Sequence, residues 1–170
     1  MKKRIISTLC SMSMIIGLSL CPISDAVASD GNEIQIVESI DGSILTTNDS
    51  SSGSTNTGIE RGKHLMDGDC SITKAGKGRI YVYASTTANH TVDYVSTIIY
   101  VDRYNEEDKA WDQIDFWQVE DQDTYYVATS KTMKVDSGYY YRVHADHAAG
   151  MDKELPYDEA ISVTDGIFVN

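Results

Sequence analysis

From residue 79 onward, apolar side chains recur at every second position and nowhere with helical spacing. Residues 79–85 set Ile80, Val82 and Ala84 on one side and Tyr81 and Tyr83 on the other. Successive side chains of an extended backbone point to opposite faces, so this alternation is the signature of a strand packed on one side. Residues 91–104 carry Val95, Thr97, Ile99 and Val101 on one face and Tyr94, Ile98 and Tyr100 on the other, a pattern suited to an interior strand. Residues 111–119 pair Ile114 with Phe116 against Trp111 with Trp117, and Tyr125, Val127, Thr129, Met133 and Val135 alternate after them. In residues 139–145, Tyr141, Val143 and Ala145 share one face, and Tyr140, Arg142 and His144 share the other. Residues 160–169 add a last strand, interrupted by a turn or bulge at Thr164-Asp165-Gly166. With a short candidate at 70–74, about seven strands spaced by Gly-rich and acidic turns predict an all-β chain. The expected architecture is a single antiparallel β-sandwich over residues 60–170.

What precedes that domain differs in kind. Lys2-Lys3-Arg4, an apolar run to Leu20 and Ala26-Val27-Ala28 form the charged, apolar and small-residue regions of a signal peptide, residues 1–28, cleaved after Ala28. The apolar run is too short and serine-rich for a membrane span. The chain is therefore expected to be secreted, with no membrane span after cleavage. Residues 29–59 include TTNDSSSGSTNTG and read as a flexible N-terminal linker, because such a composition buries too little surface to offset its ordering entropy. Of the cysteines, Cys10 and Cys21 leave with the signal, so Cys70 alone remains and no internal disulfide forms. Stability then has to come from an apolar core. Loss of Lys2, Lys3, Arg4 and Asp25 leaves 11 basic against 25 acidic residues, a net charge of −14 that repels nucleic acid and anionic lipid.

Val135-x-x-Gly138-x-x-Tyr141-x-Val143-x-Ala145 resembles the E-to-F corner of fibronectin type III domains, and an immunoglobulin-type register also half fits. The resemblance implies a tyrosine corner, in which the Tyr141 hydroxyl bonds backbone upstream. Residues 61–169 also resemble small secreted proteins of Gram-positive bacteria that form a domain of unknown function. The matching pieces are Arg61-Gly62 with Leu65, Ile72-Thr73-Lys74-Ala75-Gly76, Ser85-Thr86, Gly138-Tyr139-Tyr140-Tyr141-Arg142-Val143, His147 and Thr164-Asp165-Gly166-Ile167. That likeness implies a secreted single-domain protein and no activity.

No reaction is legible. His144-Ala145-Asp146-His147 is the densest set of potential ligands, but alternation sends His147 away from the other two, so no metal or other cofactor is expected. Asp67 and Asp69 flank Cys70 and blunt a thiolate, which leaves it a half-buried structural residue rather than a nucleophile served by His64 or His90. Residues 106–108 and 121–123 read as solvated acidic turns rather than calcium loops. The aromatics turned away from the core, Tyr81, Tyr83, Tyr140 and Trp111 or Trp117, are suited to a recognition surface. The reading is a non-enzymatic secreted sandwich binding a protein or glycan, with Tyr140, Arg142 and His144 as the candidate contact stripe. The alternatives are a hydrolase around His144, Asp146 and His147, and a surface protein without a dedicated ligand.

Overall fold

A computed structural model describes residues 39–55 and 62–170, all in strands and their connections. The expected signal peptide and residues 29–38 and 56–59 of the expected linker lie outside the described residues. Eleven strands follow in order: β1 Ser39–Ile40, β2 Ser43–Thr46, β3 Ser50–Ser54, β4 Leu65–Lys74, β5 Arg79–Val92, β6 Tyr94–Asn105, β7 Ala110–Asp121, β8 Thr124–Lys134, β9 Tyr139–Gly150, β10 Asp158–Val163 and β11 Gly166–Val169. They form two sheets. The larger runs β1-β2-β11-β9-β6-β7 with β10 also on β9, and the smaller runs β3-β4-β5-β8. The β-sandwich read from the alternation is the fold.

The interrupted last strand is present as expected. β10 pairs with residues 144–149 of β9 and β11 with residues 139–141, so Thr164 and Asp165 break a single path along one neighbour. Thr164 makes the break secure, its hydroxyl accepting from the Val143 amide at 2.9 Å.

The linker expectation is corrected. β2 pairs parallel with β11, and β3 pairs with β4 over five residues. A serine-rich segment can be a strand here because its contribution is backbone pairing, which needs no apolar side chain. Gly53 shows how close the packing is, since a Cβ there would stand 1.9 Å from the Val163 carbonyl oxygen across the sandwich. The first core strand is correspondingly longer than residues 70–74, extending back to Leu65.

Between the sheets lie two apolar clusters. One joins Cys70, Ile72, Ile80, Val82 and Ala84 to Ile99, Val101, Tyr141, Val143, Ala145, Ile167 and Val169. The other joins Leu65, Ala88, Val92, Val95, Val127 and Ala149. Cys70 is fully buried rather than half-buried, and burial pushes its thiol up to about 11. Tyr141 is 1% exposed, yet its hydroxyl reaches the Asp136 carbonyl at 2.9 Å, as the upstream-bonded corner requires.

Residue pairing also corrects the reading of β7. A bulge opposite Val101 and Asp102 shifts the register, so Trp117 packs into the first core while Trp111 lies across the Arg142 guanidinium at 4.6 Å on the outer side. The two tryptophans therefore face opposite ways. Tyr141→Phe keeps the ring and removes the corner hydrogen bond. It should lower the denaturant midpoint at constant slope, by about 1 kcal/mol in unfolding free energy.

Candidate functional site

β9 divides its residues between core and surface by the alternation noted in the sequence. Its outward row, with the facing residues of β6, β7 and β10, makes the outer face of the larger sheet. Register aligns Phe116, Tyr100, His144 and Val163 in one line across β7, β6, β9 and β10, and Gln118, Ile98, Asp146 and Ile161 in the next. The Tyr100 and His144 rings stack at 4.5 Å with an 8° interplanar angle, and Phe116 stacks on Tyr100 at 6.2 Å. Phe116 is 61% and Ile161 67% exposed, although both sit within pairing strands. Beside them Ser96, Ile98, Asp146, Ala148, Glu159 and Ile161 line a groove of about 570 Å³.

The expected contact stripe is only partly a surface. Tyr140 and His144 are half-buried, with Tyr140 against the Phe168 ring at 5.0 Å. Arg142, expected as an exposed contact, is buried and engaged by neighbours. Its Nε donates to Asp102 Oδ2 at 3.0 Å, and Nη1 donates to the Asp41 carbonyl at 2.9 Å and to Ser43 Oγ at 3.1 Å. The N-terminal segment and Trp111 cover it, which composition alone did not reveal. His144 Nδ1 meets the same Asp102 oxygen at 3.0 Å. Burial alone would raise the Asp102 carboxyl, but hydrogen bonds and charge from His144 and Arg142 outweigh it and hold the group below its usual range.

His144, Asp146 and His147 do not converge. His147 turns into the interior, 1% exposed, where it separates the two apolar clusters. Thr86 spends its proton on the Ser96 carbonyl at 2.8 Å, so His147 Nδ1 donates to Thr86 Oγ1 at 2.8 Å, and Nε2 accepts from Ser162 at 2.8 Å. Gly68 makes room, because a Cβ there would meet the imidazole at 2.3 Å. This is a satisfied polar crosslink between sheets.

Cys70 and His64 also lie apart in their bonding. Cys70 Sγ approaches the Val143 carbonyl at 3.8 Å, while His64 sits between His90 at 3.1 Å and Glu154 at 3.0 Å. The acidic turns occupy opposite ends of 12-residue β7, roughly 35–40 Å apart along the strand, and do not combine. Among the described residues no group of three His, Cys, Asp or Glu side chains is placed to hold a metal ion.

The sequence pattern did show Ile98 and Tyr100 facing away from the core, but not the groove. Ile161 gave no such signal, because along residues 160–169 it is in phase with the inward Ile167 and Val169, and only the break at Thr164-Asp165 turns it outward.

Two consequences follow from the buried polar groups. Burial lowers the His147 pKa from 6.5 to about 4, opposed only by the charge of Asp67. The unfolded chain therefore binds a proton between those values that the folded chain refuses. Stability is full above pH 6.5 and falls as pH drops toward 4, so urea unfolding at pH 5 should show about 2 kcal/mol less from this group than at pH 7. His147→Gln should flatten that part of the profile. Arg142→Ala strands the buried Asp102 carboxylate and should cost about 3 kcal/mol in the same assay at pH 7.

No curated protein and no solved structure matches the chain. A family model does, described as "Family of unknown function (DUF6147)" and covering residues 28–159. A match across that much of a 170-residue sequence settles the kinship: this chain belongs to that family.

Proposed function

We propose that this chain is an exported, non-enzymatic binding module whose ligand rests on the outer face of the larger sheet. The observation that carries the reading is the joint exposure of Phe116 and Ile161 beside a groove, on a sheet face where solvent-facing positions are ordinarily polar. An interior-type strand, β6, puts Ile98 and Tyr100 on the same face, with His144 and Asp146 of β9 between them and β10. The signal pattern of residues 1–28 and the likeness to secreted Gram-positive proteins support action outside the cell. The Tyr141 bond to Asp136 supports a corner of the fibronectin type III kind.

Within this reading Tyr140 and His144 border the contact surface, and Arg142 shares the Asp102 carboxylate with His144. Exposed Phe116 and Ile161 lie outside the core, so the double substitution Phe116→Ala with Ile161→Ser should move the unfolding free energy by no more than about 0.5 kcal/mol. The same protein should lose its ligand in a screen of immobilised cell-wall glycans and exported proteins. A ligand held equally well by the double variant would move the binding site off this face.

A further inference from the structure

We infer that the occupant of the groove is a segment of a partner protein that carries Lys or Arg beside apolar residues. This rests on the reading of the outer face as a binding surface and names what that surface takes.

Ring geometry argues first, against a sugar. Carbohydrates dock by laying their apolar faces on an aromatic plane. Tyr100 and His144 stand on adjacent strands, and adjacent strands lie about 4.8 Å apart. Their rings are stacked at 4.5 Å and nearly parallel, so the planes stand upright on the sheet and their faces are used on each other. Phe116 covers Tyr100 from the other side. The row offers ring edges and one open Phe116 face, not a platform. The groove next to it is lined by the aliphatic Ile98 and Ile161 and by the small Ala148 and Ser96. That shape suits branched or straight aliphatic side chains.

Charge supplies the second half. Among the described residues the groove contains the carboxylates of Asp146 and Glu159 and no Lys or Arg. The basic residue nearest in register, Arg142, is buried in its bonds to Asp102, Asp41 and Ser43 and covered by the Trp111 ring. His144 is turned to the same Asp102. The whole chain carries −12, so the long-range field adds to the local one in favouring a cation and opposing an anion. An apolar groove with two acidic groups in an acidic protein complements a segment that is apolar and basic.

The test uses the full chain and three synthetic eight-residue peptides in which Leu alternates with Lys, with Gln or with Glu. Binding is measured by calorimetry at low and high salt. Chitin and cellulose oligosaccharides serve as the glycan arm. The Lys peptide should bind at least about tenfold more tightly than the Glu peptide and weaken as salt rises. Asp146→Asn with Glu159→Gln should remove about fivefold or more of the Lys-peptide affinity, while leaving the Gln peptide unchanged. Phe116→Ala with Ile161→Ser should weaken both.

Equal binding of Lys and Gln peptides, or a Lys peptide indifferent to the carboxamide variant, overturns the basic partner. Oligosaccharide binding that the Phe116 and Ile161 substitutions abolish also overturns it, yet leaves the outer face standing as a binding surface. If no peptide or oligosaccharide distinguishes those substitutions from the unaltered chain, both readings fall. Denaturant midpoints of all variants, unchanged from the parent, show that the losses are not losses of fold.

Discussion

The pairing of β6 with β9 is the constraint on which the rest of this molecule depends. Ten residues of β6 lie opposite ten of β9 in one unbroken antiparallel register. Side chains alternate along each strand, so that one register sets the core and the outer face together. Ile99 meets Ala145 inward, while Tyr100 meets His144 outward. A slip by one residue would send Val143 and Tyr141 to water and Arg142 and Asp146 into the interior. The buried Asp102–Arg142 pair reinforces the correct alignment from the outside, and His147 with Thr86 reinforces it from within.

The interior is organised as apolar, polar, apolar. On β5, Thr86 falls between Ala84 and Ala88; on β6, Thr97 lies between Val95 and Ile99; on β9, His147 lies between Ala145 and Ala149. A polar belt in a core is costly unless every group is satisfied. Here the hydroxyls of Thr86 and Ser162 take both imidazole nitrogens, and among the described residues no buried side-chain polar atom lacks a partner. The belt fixes how the sheets meet along the strand direction, a matter on which interchangeable aliphatic contacts are weakly specific.

Much of this was legible in the sequence because strand periodicity depends only on local order. The inward roles of Tyr141, Val143 and Ala145, the break at Thr164-Asp165-Gly166 and the sandwich itself follow from alternation and turn chemistry. Three things were not, and for physical reasons. β3 pairs through its backbone, which leaves no apolar trace in Ser50-Ser51-Ser52. Arg142 is buried by Asp41 and Ser43, about a hundred positions away along the chain, so no local window reveals it. The bulge in β7 changes the phase of the strand midway, and a uniform period-two reading then puts Trp111 and Trp117 on one side, although Trp117 packs against the core. The site was half visible for the same reason: its rows are assembled from four strands, and only one of them was recognised as facing outward for a purpose.

That bulge also equips the protein with two optical reporters of different kinds. Trp117 packs into the core with its indole nitrogen donating to Thr129 at 3.1 Å, whereas Trp111 lies over Arg142 in the outer layer, next to Tyr104 at 5.3 Å. Both come from one twelve-residue strand and are the only tryptophans in the chain. The emission of one follows the integrity of the interior, and that of the other follows the outer layer. With each replaced singly by phenylalanine, fluorescence separates loss of fold from events confined to one face, without any attached dye.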